Sequence, residues 1–440
     1  MRLAHLRNIG VGLTAILAIL GASTGVRADV GSDRPAAILV FPKILVDTED
    51  PPNTPRGRID TLIRISNVSD EPVSLKCFYV NANGHCRASP GTICDPYDLG
   101  AVNDCAPNDP CLPGWLETDF FVNLTPGQPV AWLASQGATR CDLSPNPDVP
   151  CLPLPQNADS RVPPVAENPF IGYMKCIAVD RNDVPEELNV LIGDAQFVRS
   201  NVDPVDLDVS AYNAIGIPAI VGNNNFDKQL TIGGAAVCSA GDRDGQPCQG
   251  DFDCPAGRCL LPEYESCPNI LIMDHLFEGA NDPISGATTS TILTLVPCSD
   301  DFEQQAQIGG PIQFLVFNEF EQRFSASREV NCFHEFRLPD ISGGSAARSI
   351  FGAAVNGTLT GQTRMRGVVP GPRRCIGGGR PGSSCIYDDD CGGGICRSTD
   401  KRVGYTWLGM VEEFREDGGT SAFNLHFHGT RPESDFIHVP

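Results

Sequence analysis

The chain has 440 residues, 19 of them cysteine, and 54 Asp+Glu against 32 Lys+Arg give a formal charge of −22. That length allows two to three domains of ~150 residues, each able to bury its own core. The 45 glycines and 37 prolines disfavour long helices, and so acidic a balance excludes nucleic acid and anionic membrane as main partners, since both need a basic face.

The chain opens with Arg2 and Arg7, an apolar run over residues 9–22 (IGVGLTAILAILGA), and Val26-Arg27-Ala28 in small-x-small form. The run is shorter than the ~20 residues of a membrane helix. Residues 1–28 are therefore expected to be a secretory signal, leaving a mature chain from Asp29. No later run is long enough to span a membrane, so the expected location is secreted or periplasmic. In such a compartment disulfides are the default state of the cysteines.

The mature chain reads as strand after strand. Residues 38–41 (ILVF) are stopped by Pro42, and 61–66 (TLIRIS) alternate and end in the turn 67–72 (NVSDEP). Residues 73–80 (VSLKCFYV) place Val73, Leu75, Cys77 and Tyr79 on one face. Further short strands are expected at 120–124, 130–133, 171–179, 189–192 and 196–198, separated by Pro, Gly, Asn and Asp clusters. This pattern predicts an all-β chain of β-sandwich type.

The second half reads as a repeat of the first. ILVFP (38–42) is answered by LTLVP (293–297), TLIRISN (61–67) by QFLVFNE (313–319), and KCFY (76–79) by NCFH (331–334). IGYMKCIAVD (171–180) is answered by LGMVEEFRED (408–417), and LNVLIG (188–193) by FNLHFHG (423–429). The expected architecture is two related immunoglobulin-like sandwiches in tandem, over 29–280 and 288–440. A linker of Gly, Pro, Asn and Asp composition, 278–287 (EGANDPISGA), lies between them.

Two segments share the spacing C-x9-C-x5-C-x4-C: Cys238, Cys248, Cys254, Cys259, and Cys375, Cys385, Cys391, Cys396. Both carry Asp-x-Asp-Cys and matched glycines. They resemble the short cysteine-rich repeats scattered through large secreted proteins of some bacteria, and that resemblance implies export and disulfides but no activity. Twenty-two residues cannot build a hydrophobic core, so each unit is expected to be a knob on a loop, closed by two disulfides of its own. Structural zinc usually sits on C-x2-C knuckles, which neither unit has. The acids Asp242, Asp244, Asp251 and Asp253, with those at 388–390, leave calcium possible, although the calcium-loop glycine and final Glu are missing.

Cys86, Cys94, Cys105 and Cys111 fall in a polar loop (86–111) and can pair among themselves, and Cys141 and Cys151 bracket a second (141–151). Cys77 and Cys176 lie in expected strands, where a bridge would resemble the inter-sheet disulfide of an immunoglobulin-like sandwich. Cys332 faces Glu413 in place of such a partner and turns to Cys298, which leaves Cys267 as the odd cysteine.

Chemistry is sparse. There is no nucleophile elbow, phosphate loop, dinucleotide fingerprint or haem attachment motif. His334-Glu335 begins like a zinc-protease helix, but Leu338 stands where the second histidine belongs. His426 and His428 share a strand face, so both imidazoles could hold one metal, with Asp435 and His438 nearby and Leu425 and Phe427 on the core side. Asp274-His275 is a second pair to weigh. Asn67, Asn123 and Asn356 stand in N-x-S/T sequons. The reading is a non-catalytic structural or adhesive protein with no cofactor, whose partner is another protein or a surface glycan. The alternative is a secreted hydrolase or metal-dependent enzyme with its site near His426 and His428.

Overall fold

The computed structural model describes residues 31–32, 34–49, 52, 57–94, 105–138, 162–200, 207–239, 241–243, 246–342, 348–368, 373–383, 385, 388–398, 406–431 and 433–440. The signal segment and the Cys141 and Cys151 pair lie outside them. The chain is all-β. The first half contributes β1 (Ile38–Val46), β2 (Arg58–Asn67), β3 (Val73–Asn81), β4 (Leu116–Leu124), β5 (Pro129–Leu133), β6 (Phe170–Val179), β7 (Leu191–Ser200), β8 (Leu207–Asn213) and β9 (Ile215–Ile217). A short strand, β10 (Gln229–Ile232), comes after them. Next are β11 (Pro268–Leu276), β12 (Thr289–Pro297), β13 (Asp300–Asp301), β14 (Gly309–Asn318), β15 (Arg323–Asn331) and β16 (His334–Arg337). The chain closes with β17 (Thr360–Gly367), β18 (Trp407–Arg415), β19 (Thr420–Asn424), β20 (His426–Thr430) and β21 (Asp435–His438).

These strands form two sandwiches of one topology. The first pairs a five-stranded sheet, β9-β1-β6-β3-β4, with a four-stranded sheet, β8-β7-β2-β5. The second pairs β20-β11-β17-β14-β15 with β19-β18-β12-β16. Strand for strand the order is the same, with β1 matched by β11, β2 by β12, β3 by β14, β6 by β17, β7 by β18 and β9 by β20. The register agrees as well. Ile38 lies opposite Ile217 and Val40 opposite Ile215, as Ile270 lies opposite His428 and Ile272 opposite His426. Gly193 and Gly409 hold matched places beside Ile65 and Leu295. A Cβ would meet the carbonyl of Arg64 at 2.9 Å in one and of Thr294 at 2.3 Å in the other, so both sites need glycine.

This match corrects the sequence reading by one strand throughout. ILVF (38–41) corresponds to ILIM (270–273), not to LTLVP, and TLIRISN corresponds to TILTLVP (291–297). The cause is that any alternating apolar strand resembles any other, so only register decides. The boundary moves with it. The stretch 278–287 joins β11 to β12 inside the second sandwich, and β11 sits between β17 and β20. The second sandwich therefore begins near Pro268, not at residue 288.

Each sandwich has its own core, around Phe41, Ile63, Trp132 and Phe197 in the first and Leu271, Leu293, Phe314 and Phe336 in the second. Val73, Leu75, Cys77 and Tyr79 do face the first core together. A third core joins the halves. The outward face of the first five-stranded sheet (Ile38, Val40, Phe78, Ile177, Ile215, Ile217) packs against Val296, Cys298, Phe302, Phe333 and Leu408 of the second sandwich. Phe78 stacks on Phe302 with ring centroids 4.1 Å apart. A small sheet, β10-β21-β13, closes the junction. β1 is therefore buried along its whole length.

Charge is buried at this junction in paired form. Lys175 donates to the carbonyls of Pro297 at 2.8 Å and Cys298 at 2.9 Å and is ion-paired with Asp300, which accepts from Tyr173 Oη at 2.7 Å. Lys43 stands at an irregularity of β1 between Glu335 and Glu412, and Glu412 also takes Arg199 at 2.5 Å. An ammonium has three N–H donors, and Lys175 uses them on three oxygens. Such satisfaction is what makes a buried charge tolerable.

Candidate functional site: the outward face of the second five-stranded sheet

The face of β20-β11-β17-β14-β15 that points away from its core is open. Alternation puts Met365 and Thr363 of β17 inward and Arg364 and Arg366 outward, both exposed. Register builds two transverse rows there. One runs through His426, Ile272, Arg364, Leu315 and Ser325. The other runs through His428 and Ile270 to Arg366, Gln313 and Ser327. Neither row contains a carboxylate, although the chain has 54 Asp and Glu. Arg364 is fixed in place: its guanidinium lies 5.3 Å from the Phe317 ring centroid, and Nε donates to Gln362 at 3.0 Å. Beyond β20, no strand among the described residues pairs with the rest of β11 on that side, and a concavity of about 730 Å3 opens there, lined by Arg364, Gln362, Phe317, Asp274, Glu413 and Phe423. Desolvation raises the Glu413 carboxyl, with Arg415 opposing.

His426 and His428 lie on this face, both exposed, with Leu425 buried and Phe427 packed on the core side, as alternation requires. Asp435 and His438 do not complete a metal site with them. Both belong to β21 in the junction sheet, where Asp435 takes Arg431 at 3.2 Å and Ser299 at 3.0 Å. Asp274 and His275 point to opposite sides of β11. His275 is buried with both nitrogens engaged: Nδ1–H donates to the Leu276 carbonyl at 3.1 Å, and Nε2 accepts from Thr363 Oγ1 at 2.9 Å. Burial pushes its imidazole down to about 4. Arg364 and Arg366 went unread in the sequence; their signal was the alternation of QTRMR, two arginines on one strand face.

The cysteines are largely accounted for. Eight disulfides join described residues. Three four-cysteine sets, starting at Cys86, Cys238 and Cys375, share one crossed connectivity, first to third and second to fourth. Among the described residues, the groups of three side chains close enough to hold a metal are these cysteines. In the first knob Asp253 accepts from the Gln249 amide and Asp251 from the Cys259 amide, both at 2.8 Å, so the Asp-x-Asp motif caps backbone. Cys77 and Cys176 are bonded, but as directly opposed residues of adjacent strands in one sheet, which corrects the inter-sheet expectation. Cys267 is not the odd cysteine. It bonds Cys298, and among the described residues the free thiol is Cys332, buried and pushed up to about 12 by desolvation.

The sequons at Asn67 and Asn356 are structural. Asn67 Nδ2 donates to the carbonyls of Glu71 and Thr125, and Asn356 Nδ2 to those of Ile350 and Gly352. No described helix is long and apolar enough to cross a membrane. Comparison with protein-family models, curated proteins and solved structures finds no match.

Proposed function

We propose that the chain is an exported, non-catalytic structural or adhesive protein that acts through a sheet face. The observation that carries this reading is the outward face of the second five-stranded sheet. It repeats, pair for pair, the register of the face on which the first sandwich receives the second. The disulfides support export, because crossed pairs persist in an oxidising compartment. Protein and surface-glycan partners both suit a face mixing arginine, histidine and aliphatic residues. The alternative, a hydrolase or metal-dependent enzyme with its site near His426 and His428, gains a further candidate in Glu413, a desolvated carboxyl in the concavity with Asp274.

Metal analysis of the purified exported chain, with hydrolysis assays on ester, peptide and glycoside substrates, separates the two. The expected result is no stoichiometric zinc or copper and no hydrolysis above buffer. A hydrolytic rate that disappears in Glu413→Gln, or one equivalent of bound metal, would replace the structural reading with an enzymatic one.

A further inference from the structure

The contact between the two sandwiches joins unlike surfaces of like bodies. The first sandwich contributes the outward face of its five-stranded sheet. The second contributes the turn after β12, residues 297–302, with Leu408 beside it. A contact of this heterologous kind leaves one copy of each surface unused, a receiving face on the last body and an inserting turn on the first.

Both unused surfaces are exposed. On the receiving side, register places Arg364 where the first sandwich has Lys175, Gln362 where it has Tyr173, and Leu315 where it has Phe78. Lys175 and Tyr173 are the two residues that grip Asp300. On the inserting side, Asn67-Val68-Ser69-Asp70 takes the place of Pro297-Cys298-Ser299-Asp300. The backbone agrees: Val68 N donates to Val190 O at 2.9 Å, as Cys298 N donates to Thr406 O at 2.9 Å. Cys298 and Leu408 are fully buried in the junction, whereas their counterparts Val68 and Ile192 are 49% and 41% exposed. The turn is held ready by Asn67, whose Oδ1 accepts from the Ser69 amide at 3.0 Å while Nδ2 holds Glu71 and Thr125.

We infer that a second copy of this chain docks its 67–70 turn on the Arg364 face, so that copies join head to tail. The inference rests on the structural reading above and names its partner. Asp70 meets Arg364 as Asp300 meets Lys175, and Val68 and Ile192 bury against Leu315 and Ile272 as Cys298 and Leu408 share a buried cluster with Phe78 and Val40. The occupant is protein because the equivalent face already receives a polypeptide turn carrying a carboxylate and two carbonyls. The charges are complementary: the turn continues into Glu71, and the two rows carry Arg364 and Arg366 and no acid, while Asp274 in the adjacent row accepts from Gln362 at 3.2 Å. The receiving face is also less apolar than its counterpart, with His426 and His428 for Ile215 and Ile217 and Arg366 for Ile177. That suits a face exposed to water in the free chain and a reversible contact, since the small junction sheet has no counterpart between copies.

Sedimentation velocity of the full exported chain tests this at about 0.15 M salt, where screening to ~8 Å removes most of the repulsion between acidic copies. The parent should form a series of species growing with concentration up to about 1 mM, the weak end of specific association. Arg364→Glu and Asp70→Lys, both exposed substitutions checked by an unchanged melt, should each reduce self-association at least tenfold. Their equimolar mixture should regain association, because Asp70 of one variant meets Arg364 of the other and the Asp70→Lys side chain meets the Arg364→Glu side chain with both charges reversed. A parent that stays monomeric overturns the inference while leaving the structural reading standing. Single variants that associate like the parent, or a mixture that stays monomeric, overturn it equally.

Discussion

His275 is 4% exposed with both ring nitrogens engaged, and its removal from water disfavours the charged ring. Its folded-state pKa near 4 lies below the ordinary ~6.5 of an unfolded histidine. The native state therefore binds fewer protons than the unfolded one across that window. Its contribution is complete above ~6.5 and is lost as pH falls toward 4, by about 2–3 kcal/mol. Denaturant melts between pH 7 and pH 4 should show His275→Gln losing less stability than the parent by that amount; parallel profiles would refute it. The sequence showed Asp274-His275 as a pair. The side of the strand each residue takes was also readable from alternation, but which side is core is settled only by the sheet.

Each four-cysteine knob closes on itself at element scale. Its strands pair at the base, Cys238 opposite Cys259 and Cys375 opposite Cys396, and its sulfurs pack as a local cluster separate from the sandwich cores. The two knobs occupy different places in the repeated topology, before β11 and between β17 and β18, yet they meet: a Cβ on Gly377 would lie 3.2 Å from Gln246 Nε2. Replacing residues 375–396 by a short Gly-Asn turn shortens one connection, and loop closure costs only ~0.6 kcal/mol per doubling of length. The expected result is a body that unfolds cooperatively with stability within about 1–2 kcal/mol of the parent. Loss of the cooperative transition would place the knob in the core. The knobs were legible because cysteine spacing is rigid information. The strand matches were not, because β-strand sequences diverge freely while alternation holds.

The sandwiches are one body at the scale of the whole molecule. Separating them would expose Phe78, Phe302, Val296 and Leu408 and strip Lys175 and Lys43 of Asp300, Glu335 and Glu412, all buried. Removing one partner of a buried ion pair costs about 3–5 kcal/mol, comparable with the stability of a small domain. Calorimetry of the intact chain should therefore give a single transition whose van't Hoff and calorimetric enthalpies agree. Residues 288–440 expressed alone should lack fixed tertiary structure, since they also lose β11 from the centre of their sheet. Two separate transitions, or a folded 288–440 fragment, would show that the halves are independent.

The sequence by itself determined the strand-rich class and the cysteine units. Both are written in local periodicity and spacing. Tertiary structure decided the rest: the strand equivalence, the start of the second sandwich at β11, the bonding of Cys267 to Cys298, and the burial of Lys43 and Lys175. Those depend on which strands become neighbours and which sheet face meets the other half. Residues far apart in the chain settle that through shared burial and charge pairing, and no local pattern records it.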